Sequence, residues 1–240
     1  MKGRAWGSIA AALVACCVCS CAPRPAARVP LPILPILPPV QEAVVPTASD
    51  WPRSAVLDLA LEAYHCGSTL GYIERPLLTV IDFSLPSSQR RLWVIDVATH
   101  RVLFHELVAH GQNSGDTLAT AFSNRNGSLQ SSLGLFRTDD TYVGSQGLSL
   151  RLTGLEPGVN DLARERHIVM HGADYVSDAT VAAYGRIGRS WGCPALPPEV
   201  NASVIDSIRG GSAVFAYYPD DEWLQSSRFL HCDTQLAQAP

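Results

Sequence analysis

Eight of the chain's 17 prolines fall between Ala22 and Asp50, at Pro23, Pro25, Pro30, Pro32, Pro35, Pro38, Pro39 and Pro46. Proline fixes φ and has no N–H to donate, so this stretch can form neither a helix interior nor a central strand. An extended spacer is expected over 22–50. At about 3.1 Å per residue it would reach roughly 90 Å, which suits a target lying away from the chain's anchor. The folded domain is therefore expected over 51–240, roughly 190 of the 240 residues. Hydrophobic residues make up 47% of the chain, enough to bury a real core.

Upstream of the spacer, Lys2 and Arg4 precede an apolar run from Ile9 to Val18. A spanning helix needs about 20 apolar residues, so a run of roughly 10 reads as a secretory signal. Four of the seven cysteines crowd here, at Cys16, Cys17, Cys19 and Cys21. Leu13-Val14-Ala15-Cys16 resembles the bacterial lipobox, whose cysteine is acylated and becomes the mature N-terminus. Val18-Cys19-Ser20-Cys21 is a poorer second match. The expectation is a signal and lipobox over 1–21 with Cys16 lipidated, Cys21 being the alternative. Such a protein sits in the cell envelope or periplasm, anchored to the membrane by lipid. A cleaved signal with incidental cysteines is the plainer alternative.

Charge narrows the chemistry further. The net charge is −4 and the pI about 5.9, which leaves no basic footprint for nucleic acid. Of the 18 basic residues 17 are Arg, and the single lysine is Lys2. Schiff-base catalysis, a Ser-Lys dyad and a phosphate-loop lysine are thereby excluded from the folded part.

Within that part, Ser54 is expected to cap a helix running through Tyr64, with Val56, Leu57, Ala60, Leu61 and Tyr64 on one stripe. Strand patterns follow at Leu77–Phe83, Leu92–Val97, Val102–Val108, Leu133–Arg137, Leu148–Leu152, His167–His171 and Ala213–Tyr218. Pro198, then Val200, Val204, Ile205 and Ile208, ending at Gly210, reads as a helix with proline near its start and glycine past its end. Strands dominate without regular helical crossovers, so the class is mainly β with a few helices.

The chemistry concentrates between His167 and Cys193. A thiol is a nucleophile when a histidine takes its proton and backbone donors hold the resulting oxyanion. His171 ends a strand beside Gly172, and Cys193 follows Gly192 in a proline-bounded turn. A buried structural thiol is the competing account. His171-Gly172 followed by Ser190-x-Gly192-Cys193 resembles the signature of the YkuD-type L,D-transpeptidase catalytic domain. More closely, the run from Leu78 to Tyr217 is similar to the murein L,D-transpeptidase catalytic domain family. Matching pieces are Val108-Ala-His110-Gly111-Gln-Asn-Ser114-Gly115, Phe122-Ser-Asn124 and Ser131-Ser-Leu-Gly134. They continue with Gly147-Leu-Ser-Leu-Arg-Leu-Thr-Gly-Leu155 and Gly188-Arg-Ser-Trp-Gly-Cys-Pro-Ala195.

The resemblance implies a β-sandwich-like domain with Cys193 as nucleophile and His171 as base. It also implies that the Gly172 carbonyl orients the ring, and that N–H groups of Gly192 and Cys193 form the oxyanion hole. Trp191 stands where the best-known motif has His or Arg, and Ala195 where it has a basic or amide residue. Arg186 and Arg189 are the nearest candidates to hold a peptide carboxylate instead; two solvated loop arginines are the alternative. Ser190, Trp191, His167, His110 and Tyr142 complete the candidate substrate contacts. The partners implied are peptidoglycan stem peptides, and no metal or organic cofactor is called for.

Rival readings are weaker. Gly188-Arg-Ser190-Trp-Gly192 matches G-x-S-x-G, with Asp206 and His231 in hydrolase order, but that elbow must lead into a helix and Pro194, Pro197 and Pro198 block one. A zinc site at His167 and His171 fails because strand residues four apart are separated by about 13 Å. A non-catalytic peptidoglycan-binding envelope lipoprotein is the serious alternative, although a binding module has no need of a thiol paired with a base. The body's other cysteines, Cys66 and Cys232, are expected to bridge in an oxidising compartment. Closing so long a loop contributes about 4–5 kcal/mol in the chain-entropy picture, and two buried free thiols are the alternative.

Overall fold

The apolar stripe after Trp51 forms helix α1, Ser54–Thr69, which buries Val56, Ala60, Ala63, Tyr64 and Cys66. Ser54 is the first helical residue and not its cap. Arg53 stands at the cap without a side-chain bond to the helix. Its guanidinium instead donates to Asp82 at 2.8 Å and Ser84 at 2.6 Å, docking the helix start on the sheet. The helix also outruns its expected end at Tyr64, since Cys66 and Gly67 are buried. A Cβ at Gly67 would lie 2.9 Å from the Ile73 side chain, so glycine allows this approach without Ile73 having to shift. The structure, a computed structural model, describes residues 51–232. The expected signal, the Cys16 or Cys21 lipidation and the proline-rich spacer fall outside that range.

Eight strands follow: β1 Leu77–Asp82, β2 Leu92–Asp96, β3 Arg101–Glu106, β4 Gly134–Gly144, β5 Gly147–Gly154, β6 Val169–Gly172, β7 Ala195–Leu196 and β8 Ala213–Tyr217. They make one sheet in the order β3-β2-β1-β8-β4-β5-β6-β7. The central strands β1 and β8 run parallel and are buried along their whole length, which is why both read as unbroken apolar runs. After β3 the chain crosses to the far edge, where the Ala109 N–H donates to the Ala195 carbonyl at 2.9 Å. That bridge brings the sheet's two edges together, and the sheet is nearly closed into a barrel. The β-dominated class is thus realised by a single curled sheet.

Helix α3, Pro198–Ile208, has the expected proline at its start and buries Asn201, Val204, Ile205 and Ile208. Three short elements lack a sequence pattern long enough to read: β7, α2 (Asp178–Tyr184) and α4 (Asp221–Ser226). α2 buries no residue, so it has no apolar stripe, and is held by the Ser177 cap and the left-handed Gly185. β4 runs past Arg137 to Gly144 because a register shift between Thr138 and Thr141 lets pairing with β5 resume. Cys66 and Cys232 form a disulfide with Cα atoms 5.6 Å apart, tying the end of α1 to the segment after α4.

Candidate active site

Strand register assembles the site. His171 pairs with Ser149 of β5 on one side and Ala195 of β7 on the other, and Ser149 pairs with Tyr142 of β4. Paired residues share a face, so Tyr142, Ser149 and His171 form one row across the sheet, with Arg151 and Val169 in the next. Cys193 lies two residues before Ala195. It is half-buried and unbridged, and its Sγ rests 3.6 Å from the His167 carbonyl with the Val169 N–H also directed at it. His171 is 7% exposed, and its Nδ1 lies 2.9 Å from the Gly172 carbonyl. A carbonyl only accepts, so Nδ1 carries the proton and Nε2 of the neutral ring is the basic nitrogen. The thiol and ring share this end of the sheet, but Sγ is bonded to His167 and not to the ring.

His167 itself is not in a strand. β6 begins at Val169, and His167 occupies a turn with φ 55°, so its carbonyl, not its place on a strand, brings it to the thiol.

The turn carrying Cys193 is fastened to the segment after β3. Ser190 N–H donates to the His110 carbonyl at 2.9 Å, and Gln112 N–H to the Ser190 carbonyl at 2.8 Å. Ser190 Oγ donates to the Cys193 carbonyl at 2.6 Å and accepts from Gly192 N–H at 3.0 Å. Ser131 Oγ donates to the Gly192 carbonyl at 3.2 Å. Gly192 has φ 120°, and a Cβ there would sit 2.7 Å from the Gln130 carbonyl oxygen, so no other residue fits.

The sequence matches the family described as L,D-transpeptidase catalytic domain over residues 50–217. The chain belongs to that family. A search of curated proteins finds no match. Among solved structures, an L,D-transpeptidase from Mycobacterium smegmatis is 15% identical, with 60% of this chain and 59% of that one covered and a TM-score of 0.37. The helical cell shape determining protein Pgp2 from Campylobacter jejuni is 12% identical, covering 78% of this chain and 65% of that one at a TM-score of 0.42. The chain spans about three fifths of the length of the first of these relatives.

Several side chains that the transpeptidase motifs pointed to are committed elsewhere. Ser190 is buried and its hydroxyl closes the turn that carries Cys193, so it is turned away from the surface. Gly192 N–H is turned inward to that hydroxyl in this conformation. His110 is 0% exposed, with Nδ1 accepting from Arg91 Nη2 at 2.8 Å, and cannot reach substrate. Arg186 pairs with Asp116 at 2.9 Å, and Arg189 reaches the same carboxylate at 3.3 Å and the Gly115 carbonyl at 2.9 Å. Both therefore clamp the 115–116 loop. Trp191, two residues before Cys193, is 75% exposed, and Tyr142 lies under the Arg151 guanidinium at 4.3 Å. The hydrolase reading finds no triad: Asp206 pairs with Arg209 and the His231 ring donates to the Leu224 carbonyl. Among the described residues no three His, Cys, Asp or Glu side chains gather as a metal site.

The buried pair under the turn has a pH consequence. Burial, aided by the Arg91 charge, holds the His110 pKa down at about 4. An unfolded histidine titrates near 6.5, so below that pH the unfolded chain binds the extra proton and stability falls. The loss from this group accumulates as pH drops from about 6.5 towards 4 and reaches about 2–3 kcal/mol by pH 4.5. Urea unfolding across this range should show a shallower acid loss for His110→Asn, whose Oδ1 can still accept from Arg91. Identical pH slopes for the variant and the wild type would refute it.

Sequence reasoning missed Arg166. Its Nη1 donates to the Ser123 carbonyl and Ser132 Oγ, both at 2.6 Å, and its Nη2 to the Gln130 carbonyl at 2.6 Å and Ser128 Oγ at 3.1 Å. It thus bolts down the 123–132 loop on which Gly192 sits. Nothing in the sequence separates it from the other 16 arginines. Burial pushes the Cys193 thiol above its usual range, while the Val169 N–H and the Arg166 charge pull it back. Tyr175 nearby is pushed up to about 12, by burial first and then by Cys193. The resting group at neutral pH is consequently the thiol, and Arg166→Met should make it less reactive still. Iodoacetamide alkylation followed against pH should show a midpoint above that of a free thiol in the wild type. The midpoint should be higher again in Arg166→Met and partly restored in Arg166→Lys; an unchanged midpoint in Arg166→Met contradicts the charge effect.

Proposed function

We propose that this domain is a cysteine acyltransferase acting on peptidoglycan stem peptides, as an L,D-transpeptidase, an L,D-carboxypeptidase or both. The observation that carries the proposal is the tautomer lock: Gly172 holds the proton on His171 Nδ1, leaving Nε2 as a base at the same sheet end as the unbridged Cys193. In the first step Cys193 Sγ leaves the His167 carbonyl, passes its proton to His171 Nε2 and attacks the carbonyl carbon between an L-centre and a D-centre. The Cys193 N–H serves the oxyanion, joined by that of Gly192 once Ser190 Oγ releases it. The C–N bond then breaks, His171 returns the proton to the departing amine, and a thioester remains. An amine on a neighbouring stem, a protein amine or water attacks the thioester, His171 takes the attacker's proton, and the Cys193 thiol is regenerated. These steps use the chain's own groups and need no cofactor.

The location that follows is the cell envelope or periplasm, with a lipid anchor at Cys16 or Cys21 and the 22–50 segment as spacer. Among the described residues no helix is long and apolar enough to cross a membrane. Incubation with purified muropeptides, with products identified by mass spectrometry, tests the function and names the acceptor. Crosslinked dimers indicate an amine acceptor and shortened stems indicate water. Unchanged muropeptides would count against the enzyme and favour a binding module.

A further inference from the structure

A pocket of about 170 Å³ is walled by Tyr142, Arg151, Leu152, Arg164 and the His167–Val169 segment. Two of its wall residues, His167 and Val169, also seat Cys193, the first through its carbonyl and the second through its N–H. Two guanidinium-bearing residues line it and no carboxylate does. Asp140 accepts from Arg151 Nη1 at 2.5 Å, and Asp139 accepts from Arg164 Nη1 at 2.9 Å, with Asp140 3.9 Å from Arg164 Nη2. Neither aspartate is a wall of the pocket. Each guanidinium has five N–H donors, so one or two contacts leave donors for a ligand. The Tyr142 ring fixes the plane of Arg151 from 4.3 Å, and the Arg151–Asp140 pair is exposed enough to be weak. Arg151 pairs across the sheet with Val169, so the register keeps this guanidinium one strand from the thiol's seat.

We infer that this pocket is the carboxylate subsite of the acyl donor, with Arg151 and Arg164 receiving the free carboxylate of the residue beyond the scissile bond. The inference rests on the peptidoglycan reading. Residues of an extended peptide are about 3.5 Å apart, so a carbonyl at Sγ puts a carboxylate one residue on within reach of a pocket sharing the His167 and Val169 walls. Arg186 and Arg189, already clamped on the 115–116 loop, are not needed for it. Tyr142 and His167 wall the subsite rather than carry its charge.

The test uses the full chain carrying Cys193→Ala, which leaves the ligand intact, and isothermal titration with a stem tetrapeptide as its free C-terminal acid and as its C-terminal amide. The acid should bind about tenfold or more tightly than the amide, the worth of a charge-assisted contact. Adding Arg151→Gln and Arg164→Gln should erase the difference by weakening the acid alone, while Arg151→Lys should keep part of it. Arg186→Gln with Arg189→Gln should leave it intact. Equal binding of acid and amide, no binding of either, or a preference that survives the Arg151/Arg164 changes would overturn the subsite. Turnover by the wild type separates the two ideas. Stem cleavage with equal acid and amide binding sinks the subsite alone. An acid preference without turnover sinks the enzyme reading alone.

Discussion

Replacing Cys193 by alanine should lower turnover of muropeptides by at least about a thousandfold and leave the melting curve nearly unchanged. The sulfur makes a long contact with the His167 carbonyl, has the Val169 N–H directed at it and is half-buried, so its loss removes the proposed nucleophile without opening a large cavity. His171→Ala should cost nearly as much, because nucleophile and base act as a unit and the double variant should be scarcely worse than either single. His171 is largely buried, so His171→Gln is the better control for folding. Activity within tenfold of the wild type in Cys193→Ala would remove the mechanism altogether.

Removing the Cys66–Cys232 bridge should have the largest effect on stability. The cysteines are 166 residues apart in sequence, and in the chain-entropy picture a loop of that size contributes about 4–5 kcal/mol. The bridge also keeps the C-terminal segment, with buried Phe229 and Leu230, against α1. A Cys66→Ala/Cys232→Ala protein should unfold at much lower urea with little change in the Cys193 alkylation rate. Loss of less than about 1 kcal/mol would show that the bridge constrains little. Peptide mapping without reductant should recover Cys66 linked to Cys232 and Cys193 alkylated.

The larger elements were legible because periodicity and burial agree in them. β1, β2 and β8 are buried almost throughout, and α1 and α3 carry one apolar stripe each. β7 was not legible, since a two-residue strand has no period, yet it is the strand that sets His171 opposite Ala195. In the site, residue type pointed to Cys193 and His171 because few side chains could act as the proposed nucleophile and base, while Gly172 came only from the motif, since the group it offers is a backbone carbonyl. His110 and Ser190 carry equally reactive side chains, and only burial reveals that one is locked on Arg91 and the other closes a turn. Arg166 comes to the thiol, and Arg151 and Arg164 to the pocket walled by His167 and Val169, through loops and cross-strand register separated from Cys193 by many residues. A linear pattern cannot display that proximity.

The central claim is that Cys193 is acylated with help from His171. Its most direct test is intact-protein mass spectrometry after incubation with imipenem, a carbapenem able to acylate a nucleophilic thiol. One adduct per chain should form and map to the peptide containing Cys193; it should be absent from Cys193→Ala and form far more slowly in His171→Ala. An unmodified wild-type chain, or an adduct that persists in Cys193→Ala, would contradict the account.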